Sequence, residues 1–381
     1  MRSIPFGAPI LGDSERQAVL EVMDSGILVH GPRFKAFEAA FAAFTGAPHA
    51  VAVASCTAGL HLAYFHLGLG PGDEVIVPAM THTATAHAVE LTGARPVFVD
   101  AEERTGNIDL QQLAAAITPR TRAISVVHFL GMPVDMAQVN AIAKQHGLFV
   151  VEDCALGVGS RFQDIHVGLH GDVGCFSFYP VKHMTTGEGG MLITRDGEIA
   201  RSIGLKRAFG VDRHVGERKV PGLYDVVDLG FNYRMSEVEA AMGICQLERV
   251  PSFLARRRAN HEAMTKGLQG IDEVELLDSS HGPFQSSYYC LSMLLAPKLA
   301  PKREALMSAL GSRGVGTSIY YPAPVPRMTY YRAKYGYPAG GFPRAERISD
   351  TSVALPVGPH LDEADVDYVV AAVKESIQEA L

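Results

Sequence analysis

Two apolar rhythms divide the chain. At its start the apolar positions recur at three and four: residues 13–23 and 34–44 read as amphipathic helices, with Phe34, Phe37 and Phe41 on one face of the second. From Ala50 onward the rhythm changes to short apolar runs alternating with helix-like stretches. Strands are expected at 50–54, 74–78, 96–99, 123–127 and 148–151, and helices between them at 58–67, 84–91, 110–117 and 136–146. These strands are apolar on both faces, the mark of a mostly parallel sheet sandwiched by helices, so the expected fold class is α/β. In such sheets ligands bind beyond the carboxyl ends of the strands.

The pattern continues with a strand at 191–194 and a helix at 199–205. Residues 207–225 are rich in Arg, Lys, Gly and Val without periodicity and read as a mobile or interfacial loop. Ser236 opens a long helix to about Arg258, expected to join a large domain, 1–245, to a smaller α+β domain, 246–381. In the smaller domain 288–294 and 317–321 read as strands, and 302–313 and 363–380 as helices. The run Tyr330 to Tyr337 reads as an aromatic, basic loop, either lining a pocket for a planar or anionic ligand or packing half-buried.

Composition narrows the function classes. The 381 residues are 47% hydrophobic, enough for a well-buried core, and 34 Lys and Arg against 41 Asp and Glu give a net charge of −7. That balance argues against a nucleic-acid partner. The five cysteines are scattered without a C-x-x-C pair, as expected of reduced thiols in a cytoplasmic protein. Pro5, Pro9, Asp13 and Glu15 interrupt any leader-like apolar run, and no stretch approaches the roughly 18 apolar residues of a membrane span. His82 and His87 are not spaced to share a helix face, so no metal site is indicated.

Candidate chemistry gathers after the strands. An apolar and aromatic run, Gly174 to Tyr179, delivers Lys182 to a turn, and the glycines at 187, 189 and 190 then allow backbone to pass close by. Enclosure would lower that lysine's pKa and free its amine to condense with an aldehyde. Ser55-Cys56-Thr57 stands at a helix start, either gripping a phosphate with hydroxyls and backbone N–H groups or simply capping the helix. Thr81-His82 opens another helix, placing an imidazole either against a flat cofactor or in a structural hydrogen bond. Glu152-Asp153 ends a buried strand, where a carboxylate needs a cationic partner. A pyridinium nitrogen would be one, and the ring would then draw electrons from a substrate carbanion. Acid, lysine and phosphate-binding hydroxyls are together what a pyridoxal phosphate site requires. Competing motifs fail: Gly68-Leu69-Gly70-Pro71-Gly72 follows a helix rather than a strand, and Phe162 stands where Gly157-Val158-Gly159 would need its third glycine. Neither a phosphate-binding G-x-x-x-x-G-K-[ST] nor a G-x-S-x-G or H-E-x-x-H hydrolase motif occurs.

Five segments in order, Ser55 to Ala63, Val75 to Ala86, Glu152 to Ala155, Phe176 to Gly190 and Asn232 to Gly243, resemble the DegT/DnrJ/EryC1/StrS family of nucleotide-sugar aminotransferases, which are fold-type I pyridoxal phosphate enzymes. The resemblance implies that Lys182 binds the cofactor covalently and then shuttles a proton, that Asp153 pairs with the ring nitrogen, and that His82 stacks on the ring. It further implies that Thr57 and Ser177, with backbone near Ser55 and Cys56, hold the phosphate. Asn232 would reach the phosphate of a neighbouring subunit, implying a homodimer with shared active sites. Tyr233, Arg234, Tyr320, Tyr321 and Arg327 are candidates for the substrate. An amino acid, commonly glutamate, would give its amine to the cofactor, and a keto group on a nucleotide-linked sugar would take it. A keto cyclitol as acceptor and a catalytically silent cofactor-binding paralogue are the alternatives. Two positions depart from the family. Leu156 replaces the usual Gln or His near the ring face, and Pro324-Val325-Pro326-Arg327 replaces a Pro-Leu-His stretch near the sugar nucleotide.

Overall fold

The computed structural model describes residues 2–212, 220 and 222–381. Its strands are β1 (His49–Val53), β2 (Glu74–Pro78), β3 (Arg95–Val99), β4 (Thr121–Val127), β5 (Phe149–Asp153), β6 (Arg161–Phe162), β7 (Ile165–His166), β8 (Val173–Ser177), β9 (Gly190–Thr194), β10 (Val274–Leu276), β11 (Phe284–Gln285), β12 (Leu291–Leu295) and β13 (Ser352–Leu355). Seven of them form the central sheet in the order β1-β9-β8-β5-β4-β2-β3. β3, β2, β4, β5 and β8 run parallel, and β9 pairs antiparallel with both β8 and β1. The strands β2, β8 and β9 are buried along their whole length. That explains why they are apolar apart from their ends: helices cover both faces, so neither face needs polar residues along its length. Fold class and the alternation of elements are as the sequence leads one to expect.

Helix starts follow local chemistry. Ser55, His82, Asp109, Asp135 and Asp196 each accept a hydrogen bond from a backbone N–H of the helix they precede, satisfying donors that the helix itself cannot. Ser236 does so in a reciprocal arrangement, its Oγ accepting from Glu239 N at 3.2 Å while the Glu239 carboxylate accepts from Ser236 N at 2.7 Å. The helix it starts runs over Glu237–Leu268 and contains Pro251. It is thus longer than its expected end near Arg258. The added turns bury Asn260, Met264 and Leu268, and Asn260 Nδ2 donates to the Gly358 carbonyl at 3.1 Å.

This helix carries the chain into a smaller unit built on the antiparallel sheet β10-β12-β13. Its core gathers Met264, Leu291, Leu310, Val353 and Val373. Ile4, from the far end of the sequence, is buried in the same cluster. Ile4 N donates to the Gly314 carbonyl and Gly316 N to the Ile4 carbonyl, both at 2.8 Å.

Three local expectations change. Residues 317–321 form no strand; Ser318 makes an isolated bridge to Ala354, and the next residues include Pro322 and Pro324, which lack the N–H a ladder needs. Residues Thr329–Tyr335 are a helix rather than a loop. Within it, Tyr331 is buried, stacks on His87 and bonds its Nδ1 at 2.8 Å, Lys334 and Tyr335 both hold Glu90, and Tyr330 is exposed. The strand expected at 288–294 begins at Leu291. Of the loop expected at 207–225, residues 213–219 and 221 lie outside the described residues; Val211 bridges to Val226.

Candidate active site

The carboxyl ends of β2, β5 and β8 and the turn after β1 open on one cavity of about 240 Å³. Ser55, Cys56, Thr57, His82, Asp153, Ser177, Lys182 and Tyr321 all line it. Residues up to 266 apart in sequence therefore meet where a parallel sheet is expected to present its ligand.

Asp153 ends β5 and is buried. Its carboxylate accepts from Thr85 Oγ1 at 2.8 Å and from Ala155 N at 3.0 Å, and the Cys56 thiol lies 3.8 Å away. Among the described residues no lysine, arginine or histidine pairs with it. Thr85 is in turn 2.6 Å from the Thr81 hydroxyl. The neighbouring Glu152 faces the other way and is fully buried, accepting from His128 Nε2 at 2.8 Å and from the amides of Gly168, His170 and Gly171 at 2.6 to 2.8 Å. His128 Nδ1 accepts from Val134 N, so Nε2 carries the proton. Glu152 fastens the turn ahead of β8, and Asp153 alone of the pair reaches the cavity.

Lys182 follows β8 in a turn whose backbone is held by a bond from Lys182 N to the Tyr179 carbonyl at 2.9 Å. Burial lowers the pKa of its amine from the ordinary value, with Asp153 acting in the opposite direction. The amine makes no ion pair among the described residues. The glycines that follow are needed for approach: a side chain at Gly190 would lie 2.5 Å from the Ser55 carbonyl carbon and 2.6 Å from Cys56 N. The strand after the lysine is thereby pressed against the turn that starts the helix Cys56–His66.

The remaining site residues divide. Ser55 Oγ caps the helix, accepting from Ala58 N at 3.1 Å. Thr57 and Ser177 present hydroxyls to the cavity. The Cys56 thiol turns inward to the Cys175 carbonyl at 3.4 Å, and burial pushes its pKa well up, so it remains a neutral thiol. His82 caps its own helix through Nδ1 and stands edge-on to Tyr321, with ring centroids 5.7 Å apart. Leu156 lines the wall without a polar group to offer. Asn232, Tyr233, Arg234, Tyr320 and Arg327 do not line this cavity. Tyr233 bonds His61 Nδ1 at 3.1 Å and stacks on Phe231. Tyr320 bonds the Tyr289 hydroxyl at 2.7 Å. Arg327 makes a two-pronged pair with Asp350 at 2.8 and 2.5 Å. Asn232 is exposed, and Arg234 sits in a separate recess with His30, Phe34 and Arg207. Sequence reasoning gave no role to Thr81, Tyr179 and Glu188, which also line the cavity, nor to Thr85 behind Asp153. Thr85 lies inside a quoted motif, but a hydroxyl within a helix carries no signal of its own.

The donor set suits pyridoxal phosphate. A buried carboxylate with no cation among the described residues fits a protonated ring nitrogen, a desolvated amine in no ion pair among them fits an aldehyde, and a capped helix start flanked by the Thr57 and Ser177 hydroxyls fits a phosphate.

Comparison with known proteins gives a consistent result. The family described as DegT/DnrJ/EryC1/StrS aminotransferase matches residues 9–374. The spore coat polysaccharide biosynthesis protein SpsC of Bacillus subtilis (strain 168) is 38% identical over 382 aligned positions, covering 99% of this chain and 98% of the relative. Among solved structures, the putative sugar aminotransferase Spr1654 from Streptococcus pneumoniae in its PMP form superimposes with a TM-score of 0.94 at 27% identity, covering all of both chains. DesV from S. venezuelae, in complex with a ketimine intermediate, gives 0.89 at 35% identity over 98% of this chain and 99% of its own.

Proposed function

Because the chain belongs to the DegT/DnrJ/EryC1/StrS aminotransferase family and is a pyridoxal-phosphate-dependent sugar aminotransferase, we propose that it moves an amine from L-glutamate to a keto group on a nucleotide-linked sugar. The observation that carries the reading is the meeting of Lys182 and Asp153 in one cavity, neither of them in an ion pair among the described residues. When bound, pyridoxal phosphate supplies an electron-withdrawing ring and carries the amino group between the two substrates. Lys182 Nζ would bind that cofactor, and once released would take the proton from the donor's amine-bearing carbon. Asp153 would hold a proton on the ring nitrogen, oriented by Thr85. Thr57, Ser177 and the start of the helix Cys56–His66 would hold the phosphate, and His82 would cover the ring.

The active site is proposed to be shared by two copies. Lys182 is the sole lysine or arginine among the described residues that line the cavity, too little positive charge for a phosphate, a dicarboxylate and a diphosphate. Asn232 and Arg234 lie outside it, on a segment near exposed apolar residues: Leu28 is 52% and Leu229 68% exposed, and the Leu28 carbonyl accepts from Glu237 N at 2.9 Å. A second copy would cover that apolar surface and bring its Asn232 and Arg234 to this cavity. No helix among the described residues is long and apolar enough to cross a membrane, and the five cysteines are free. The free thiols suit a reducing, cytoplasmic setting.

The test is spectroscopic. Glutamate should shift the absorbance band of the holoprotein in single turnover, and a keto sugar linked to a nucleoside diphosphate should restore it. Free nucleoside diphosphate should compete with the acceptor. Restoration by an unlinked keto cyclitol without such competition would overturn the nucleotide-linked assignment.

A further inference from the structure

Behind Lys182 lies an arrangement that the transamination scheme does not use. The Lys182 amine stands over the face of the Tyr289 ring, 5.3 Å from its centroid, and among the described residues it has no hydrogen bond. Tyr289 is 3% exposed and comes from the stretch just before β12, over a hundred positions downstream. Its ring is fixed from two sides. The hydroxyl bonds Tyr320 at 2.7 Å. Its own carbonyl accepts at 2.9 Å from Nη1 of Arg257, a buried arginine of the long helix Glu237–Leu268. No carboxylate pairs with Arg257 among the described residues, and its Nε has no partner. A charged group buried on such terms is costly, and here it serves to hold one peptide and one ring in place.

An aromatic face attracts a cation and is indifferent to a neutral amine. We propose that Tyr289 is a positioning residue for Lys182: its ring face receives the amine in protonated form once that amine is off the cofactor. This rests on Lys182 being the residue that binds the cofactor. In the reaction, the C–H bond of the donor carbon would break with its electron pair taken up by the bound cofactor, and the proton would move to Lys182 Nζ. The resulting ammonium would rest on Tyr289 until Lys182 gives that proton up again, which restores the neutral amine. Tyr289 touches neither substrate nor cofactor in this scheme. It acts by making Lys182 a stronger base. Of the other titratable groups around the amine, Asp153 favours its protonation; the buried Cys56 and Cys290 thiols are neutral, His82 and the adjacent His183 are held low by burial, and the buried Arg257 guanidinium lies 6.0 Å from the centroid of the same Tyr289 ring.

The experiment measures the amine in the cofactor-free full-length protein and turnover in the holoenzyme. Labelling of Lys182 by an amine-reactive reagent across pH gives the midpoint of its titration. Because the ring favours the charged form, Tyr289→Leu should lower that midpoint by about half to one and a half pH units. The same variant should lower kcat about three- to thirtyfold while leaving both KM values within about twofold. Tyr289→Phe keeps the ring and should resemble the parent. Should Tyr289→Leu fail to fold, phenylalanines carrying one to three fluorines at position 289 keep the shape and drain the ring face of negative charge, and the midpoint should fall with each fluorine. An unchanged midpoint and kcat across the Leu or fluorinated variants overturns the proposal. Borohydride reduction of each loaded variant separates the two failures: cofactor fixed on a residue other than Lys182 would sink the site assignment itself.

Discussion

The proposed roles of Lys182 and Asp153 differ, and single substitutions separate them. Lys182→Ala should still bind pyridoxal phosphate, through the groups that hold the phosphate and ring nitrogen, yet lose turnover by about 10²–10⁴-fold, the worth of a positioned base. Rapid-quench kinetics with glutamate would show it, and sustained turnover near the parental rate would refute the role. Thr85→Val removes the 2.8 Å hydrogen bond to Asp153 without touching the cavity wall. Losing a bond to a charged group should weaken cofactor binding by about tenfold, measured by fluorescence titration of the apoprotein. Unchanged affinity would mean that Ala155 N suffices to hold the carboxylate. The lysine, the acid and the helix-start hydroxyls were legible in the sequence because each follows an apolar run that must be a strand. Thr85, Tyr289 and Arg257 were not, since their roles come from neighbours distant in sequence. Arg327 misled for the same reason, because nothing local announces its pairing with Asp350.

Among the elements, the strongest departure from sequence expectation is the long helix. The sequence leads one to expect it to end near Arg258, but packing on both units of the chain carries it through Pro251 to Leu268. Its first half receives the helix Asp13–Ser25 through Glu15. Burial pushes the Glu15 carboxyl up, but hydrogen bonds from Gln246, the Gly12 amide and Arg249, at 2.7, 2.7 and 2.9 Å, outweigh it and bring it from 4.5 to about 2. A carboxyl depressed in the folded state adds stability that is complete above its unfolded value and fades as pH falls toward the folded one. The stability gap between parent and Glu15→Gln should therefore be widest above about pH 4.5 and close as pH falls toward about 2, as read by urea unfolding at a series of pH values. A gap independent of pH would assign the effect to packing instead.

For the whole molecule, the sheet order and the position of the cavity follow from strands that read as apolar on both faces. The boundary elements do not, because short antiparallel pairs such as β6 with β7 give too few residues for a period to show. The proposed shared site makes a prediction at this scale. Leu28→Asp with Leu229→Asp should dissociate the assembly in sedimentation and abolish transamination together. Arg234→Ala should leave assembly intact while raising KM for the donor about tenfold or more, as expected for loss of a charged contact. An active monomer would end the argument for sharing.

The pairing of Ile4 with Gly314 and Gly316 bears on how the protein is made. A ribosome releases the leading segment some three hundred residues before its partner exists, so the sheet that binds the cofactor can close while that segment still dangles. The smaller unit then forms around a single bridging residue, Ile4, so its completion also tethers the segment ahead of the first helix. Trimming the residues ahead of Phe6 should accordingly loosen the smaller unit and spare the central sheet.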